Sequence, residues 1–236
     1  MSNLSDMGAP LTSGHGGGDF KALANGTYDY VIHGIVGLGL RENSYQGEAK
    51  PPVVKIKIIF EVPAEVRDDK QTQVCSYKVN LSPNAKGNFY KFVRTIDKDA
   101  TEDNFSEYMS AAGLNNLLGQ VGVLTINSFE KDGKAIAYVD GSGFTRLDPR
   151  LPKPVATRPT FFFNPFKPDV EVFKNTLTYY TQKEVMEALN ADQFPPELHQ
   201  AWAAVQEAHA AKEANKGEKK EKSVAPSVSG DTASIE

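Results

Sequence analysis

The stretch VIHGIVGLGLRENSYQGEAKPP, residues 31–52, decides how the chain is read. A β-branched apolar segment is interrupted by Gly34, Gly37 and Gly39, runs into a charged stretch and is closed by Pro51 and Pro52. Glycines are placed this way either in a loop that cradles phosphate or in a strand that must bend. The phosphate loop needs a helix to begin directly after the glycines, so that its free backbone N–H groups meet the anion. Pro51 and Pro52 bar such a helix, and the spacing G-x-x-G-x-G differs from a dinucleotide fingerprint. The other reading is a long, sharply bent strand, as the first strand of a small closed barrel must be to pair in both halves of its sheet.

The flanking sequence agrees. PVVKIKIIFEV (52–62) alternates, with Val54, Ile56, Ile58, Phe60 and Val62 on one face and Lys55, Lys57, Ile59 and Glu61 on the other. QVCSYKVNL (73–81) repeats the pattern, Cys75, Tyr77, Val79 and Leu81 opposing Ser76, Lys78 and Asn80. Residues 82–96 and 104–119 carry helical spacings, with Ser82 and Asn104 placed as caps. Residues 120–144 read as a hairpin turning at KDGK. Three strands, a helical insertion and two strands predict a mainly β (α+β overall) fold. Its centre is a five-stranded Greek-key barrel of the OB type over residues 20–149.

The proline-rich segment DPRLPKPVATRP (148–159) ends that pattern. Beyond it, Phe161, Phe162, Phe163 and Phe166 form an aromatic anchor expected to dock on the barrel. Helices are expected near Asp169, at Thr181 and after Pro195 and Pro196, the last with an apolar stripe of Leu198, Trp202, Val205 and His209. Residues 150–214 therefore read as a helical extension. Residues 1–19 and 215–236 have little to bury and are expected to be disordered.

Composition narrows the function. The chain of 236 residues is 40% hydrophobic, enough for a core, and no apolar run nears the roughly 20 residues that span a bilayer. Its N-terminus has neither a basic nor an apolar signal region, so an intracellular location is expected. The single cysteine, Cys75, excludes an intrachain disulfide, and four scattered histidines assemble no zinc spacing, so neither metal nor cofactor is expected. No nucleophile, base or Walker signature is present, and acid pairs such as Asp68 with Asp69 fall in turn-like stretches. The expectation is a protein without enzymatic activity.

The formal net charge of −4 argues against a polyanionic partner, but the charge is uneven. Between Lys21 and Lys98 there are twelve Lys and Arg against eight Asp and Glu. Lys55, Lys57 and Lys78 fall on the outward faces of two consecutive strands, and Arg41, Tyr45 and Lys50 lie in the segment joining the first two. On an OB barrel that face and that loop bind oligonucleotides, with cations tracking phosphates and rings stacking on bases. Tyr90, Lys91 and Arg94 can extend the path. Singly, outward lysines are ordinary edge-protecting charges; it is their combination that points to nucleic acid.

The run from ANGTYDYVIHG through QGEAKPPVVKIKIIFEVP, then YKVNLSPNAKGNFYKFV and FFFNPFKPDVEVFKNTLTYYTQKEVMEALN, resembles a group of bacteriophage single-stranded DNA-binding proteins of OB fold. The similarity covers about residues 20–190. It implies a protein that coats and protects single strands in phage replication or recombination, in the cytoplasm of an infected bacterium. It further implies little sequence preference, phage replication or recombination proteins as partners, and self-association as an option. One departure is the tail, which carries Lys212, Lys216, Lys219, Lys220 and Lys222 where many replication single-strand binders end in an acidic, partner-recruiting tail. Two rival readings stand: a protein-interaction or virion-assembly module on the same barrel, and a nucleic-acid-processing enzyme whose acids carry no recognisable spacing.

Overall fold

The computed structural model describes residues 23–131 and 134–222, leaving aside the side chains of Tyr45, Lys131, Lys134, Ala135 and residues 215–222. Its spine is β1 (Gly26–Tyr45). One edge of β1 pairs antiparallel with β2 (Glu48–Val66) from Val31 to Tyr45. The other edge pairs with β4 (Val121–Lys131) from Gly26 to Val31. β3 (Thr72–Asn80) joins β2 and β5 (Lys134–Val139) joins β4, giving the order β3-β2-β1-β4-β5. β3 then lies against β5, so the sheet curls into a nearly closed five-stranded barrel. This is the OB-type arrangement expected from the strand order.

The bend in β1 comes from irregular pairing. The register with β2 slips between Ile32 and Gly34, leaving His33 as an extra residue, and slips again between Gly37 and Leu40. A one-residue bulge reverses which side chains face inward. Tyr30 and Ile32 before it, and Ile35 after it, belong to the barrel interior with Ile56, Ile58, Phe60, Cys75, Tyr77 and Phe144. Val36 and Leu38 instead face outward into a second core. A single strand thus serves two cores.

The second core belongs to the C-terminal extension. β6 (Phe161–Phe163) adds in parallel to Gly34–Val36 of β1, taking the edge that β4 leaves at Val31. A Cβ on Gly34 would overlap the Phe161 ring, so only glycine permits this approach. Gly39, at φ +70°, sits against Ala188 and Asn190, where Leu40 N–H donates to Asn190 Oδ1 at 2.8 Å. A π-helical turn (Val172–Thr176), α4 (Tyr179–Met186) and α5 (Pro196–Lys222) complete the layer, burying Phe173, Val185, Phe194 and Leu198. The glycines of β1 therefore seat the extension as well as bending the strand. The expected docking of the phenylalanines is seen for Phe161–Phe163, although as a strand rather than a loose cluster.

Several local expectations need correction. Residues 41–52 are not a loop: β1 and β2 continue as a hairpin arm in which Tyr45 pairs with Glu48. The turn is Gln46–Gly47, with φ 54° and 85°, the left-handed pair that a two-residue hairpin requires. Pro51 and Pro52 are accommodated beside a third slip of the ladder, between Arg41 and Asn43, where a missing N–H costs little. The helix expected from Ser82 starts later, as α1 (Asn88–Ile96) behind an N-cap at Gly87. Two short helices follow, α2 (Phe105–Tyr108) and α3 (Ala111–Asn116), the latter capped by Ser110 accepting from Gly113 N–H. α5 continues through Lys222, past the boundary composition suggested at residue 214. The arm at residues 1–19, the tip of the KDGK turn and residues 223–236 lie outside the described residues.

No described helix is long and apolar enough to cross a membrane.

Candidate nucleic-acid interface

A groove of 780 Å³ lies between the hairpin arm, the outer side of β3, the segment leading into α1, and α4. Arg41, Lys55, Lys78 and Lys86 bring cations to it, Glu42, Glu184 and Glu187 bring carboxylates, and Asn43, Asn80, Asn84 and Asn88 bring amides. Strand register produces the grouping: Lys55 lies opposite Asn80 and Lys57 opposite Lys78. The outward direction expected for the lysines is therefore correct. What lies above them is different from the expectation.

The outer face of β2 is covered by the extension. Ile59 packs into the second core. Glu61 is fully buried, accepting from Thr72 Oγ1 at 2.6 Å and from Thr157 N–H at 3.0 Å, which clamps the proline-rich segment onto the strand. Those hydroxyl and amide donors hold the Glu61 carboxyl below the usual carboxylate range although burial works to raise it. Lys57, expected at the surface, is only 6% exposed; its ammonium meets Glu184 and donates to Thr181 Oγ1 at 3.1 Å. Lys78, half-buried, meets the other Glu184 oxygen at 2.8 Å. Like charges facing each other across a ladder repel, and Glu184 relieves the repulsion by bridging both. Burial pushes the Lys57 ammonium below its ordinary value, with Glu184 opposing that effect. Burial would likewise raise the Glu184 carboxyl, but Lys57 and Lys78 together hold it below the carboxylate range.

The remaining expected residues divide. Arg41 lines the groove but is half-buried, donating from Nε to Leu38 O and from Nη1 to Glu187 O, each at 3.1 Å. It thereby ties the C-terminal end of α4 to β1. Lys55 lines the groove, half-buried. Lys50 is exposed on the arm, paired with Glu48 at 2.9 Å, and does not line the groove. Tyr45 is placed by its backbone next to the turn. Tyr90 is not on a binding path: it is 7% exposed, with its ring 4.7 Å from Phe105, because α1 turns Phe89, Tyr90, Phe92 and Val93 toward the barrel. Lys91 and Arg94 occupy the opposite, exposed side of α1, away from the groove lining.

Sequence reasoning missed Lys86, Asn84 and Asn88, which the turn-forming run SPNAKGN presents to the groove; its Asn, Pro and Gly content was the available signal. It also missed Glu184, whose partner Lys78 is 106 residues away and leaves no local trace.

Chemically, the cations can neutralise phosphates, and the amides and hydroxyls can bond sugars and base edges. Stacking is scarce. Tyr77 is the only ring among the described lining residues, and at 2% exposure it belongs to the barrel core. Among the described residues no cluster of His, Cys, Asp and Glu has metal-binding geometry. No family model matches the chain, and comparison with curated proteins gives no match.

Proposed function

We propose that this chain binds single-stranded DNA in the groove beside the β1–β2 arm, coating the strand without strong sequence preference and without catalysing a reaction. The observation that carries the reading is the position of a cation-bearing, amide-lined groove on the outer side of strands 1–3 of an OB-type barrel, where such barrels take oligonucleotides. The resemblance to phage single-strand binders extends the role to phage DNA replication or recombination in the bacterial cytoplasm, with proteins of those processes as partners.

The charge balance sets the strength. Four groove cations face three carboxylates, and Glu184 already engages Lys78. Few phosphates are neutralised, and the salt dependence is correspondingly modest. Lys55→Glu with Lys86→Glu tests this: affinity for oligo-dT falls at least about tenfold, and the log–log salt slope becomes shallower by about 1.4, at roughly 0.7 for each phosphate no longer neutralised. Unchanged affinity and slope in a folded variant place the strand elsewhere.

A second reading, a protein-interaction or virion-assembly module, is favoured by the internal neutralisation of Lys57 and Lys78. Passage through a heparin column at low salt, without retention, selects it over the first.

A further inference from the structure

Binding of single strands without sequence preference relies on aromatic stacking as well as charge, and the extension carries a group of described rings outside the barrel core. Tyr179, in the first turn of α4, stacks with two side chains of α5. Its ring centroid is 5.6 Å from that of Trp202 at 28°, and 3.7 Å from that of His209 at 11°. Tyr180, 52% exposed, stands edge-on to it at 5.8 Å. Tyr179 and His209 form one wall of a cavity of 370 Å³, and both remain half-exposed.

The charge of this cavity is of one sign. Lys174 and Lys212 line it from opposite elements, the π-helical turn and α5, and no carboxylate is among its described lining residues. Neither lysine forms an ion pair among the described residues, unlike Lys57 and Lys78 in the groove. The amino end of α4 opens here as well. Thr178 and Tyr179 are in the lining, Thr178 Oγ1 accepts from Thr181 N–H, and the helix end adds partial positive charge. Gln182 fixes the shape by donating from Nε2 to Phe173 O at 2.6 Å, holding the π-helical turn against α4.

We infer that this cavity is a second nucleotide subsite for the single strand of the proposed function, taking a base against the Tyr179–His209 stack and its phosphate between Lys174 and Lys212. It rests on that reading and supplies rings that the described lining of the groove does not present. α4 provides the continuity: Glu184 and Glu187 face the groove while Tyr179 and Gln182 face the cavity, along a helix about 12 Å long. A strand long enough to reach past α4 engages both sites. A short one occupies the groove alone.

The test is fluorescence anisotropy of labelled oligo-dT of about 8 and about 30 nucleotides, spanning the range of OB-sized sites, with the wild type and with Lys174→Glu/Lys212→Glu. Both lysines are exposed, so the variant keeps its fold. The longer strand loses about tenfold in affinity, as expected when two phosphates are no longer neutralised, while the shorter strand changes by less than about twofold. Trp202, the only tryptophan, gives a second readout in the unaltered protein: its emission responds to the long strand and not to the short one. Equal behaviour of wild type and variant with the long strand, or silent Trp202 emission, overturns the subsite while leaving the groove intact. Failure of the wild type to bind either length overturns the groove reading and this inference with it. Thymidine monophosphate is the third arm. If it binds the wild type and not the variant, while strand binding shows no length dependence, the cavity is a free-nucleotide site and the assignment to the strand is wrong.

Discussion

At the scale of single residues, Glu184 does the most to reconcile barrel and extension. It sits over two lysines that face each other across β2 and β3, and Lys57 would otherwise be a buried, uncompensated charge. Removing one partner of such a cluster is costly: Glu184→Ala lowers stability by about 3 kcal/mol at neutral pH. Its folded carboxyl is held below the ordinary value of 4.5, so the contribution is complete above pH 4.5 and is lost as pH falls through the folded value. Urea unfolding of wild type and Glu184→Ala shows curves that are well separated at pH 7 and converge on acidification. Curves with a constant separation contradict the assignment. This residue was invisible in the sequence, because nothing near Glu184 distinguishes it from other helix-surface acids. Tyr90 illustrates the opposite error: beside Lys91 and Arg94 it read as a polar surface tyrosine, whereas the turn of α1 carries it inward.

At the scale of elements, β1 shows how one strand answers two demands. Its glycines signalled a bend correctly, and the period-2 pattern of β2 and β3 was plain because an inward and an outward face differ in polarity along consecutive residues. The second use of those glycines depended on a segment more than a hundred residues later: Gly34 leaves room for Phe161, and a methyl group there would overlap the ring. Gly34→Ala destabilises the protein by about 1–3 kcal/mol through overpacking. In the double variant Gly34→Ala/Phe161→Ala the two costs are less than additive, since the smaller side chain accepts the new methyl. Additive costs in thermal unfolding separate the two positions. The hairpin arm was misread as a loop for a physical reason: prolines usually exclude pairing, and only an irregular ladder such as that between Arg41 and Asn43 admits them.

At the scale of the molecule, the barrel was legible and the groove only partly so. Strand order and alternation gave the OB-type architecture, because those signals are local. Which outward residues remain available to a ligand depends on what the extension covers. That extension buries Lys57 and claims Arg41 and Lys78, while Lys55 and Lys86 line the groove together with amides from the turn before α1. It also brings the rings of Tyr179 and His209 to a basic cavity. The extension is thus a structural layer and, in this account, part of the binding surface.

The most direct measurement is an anisotropy titration of labelled oligo-dT of about 30 nucleotides against the same length of duplex, at low and moderate salt. The account predicts binding to the single strand that weakens with salt and much weaker binding to the duplex. Absence of binding to the single strand at low salt, or equal affinity for the two, contradicts it.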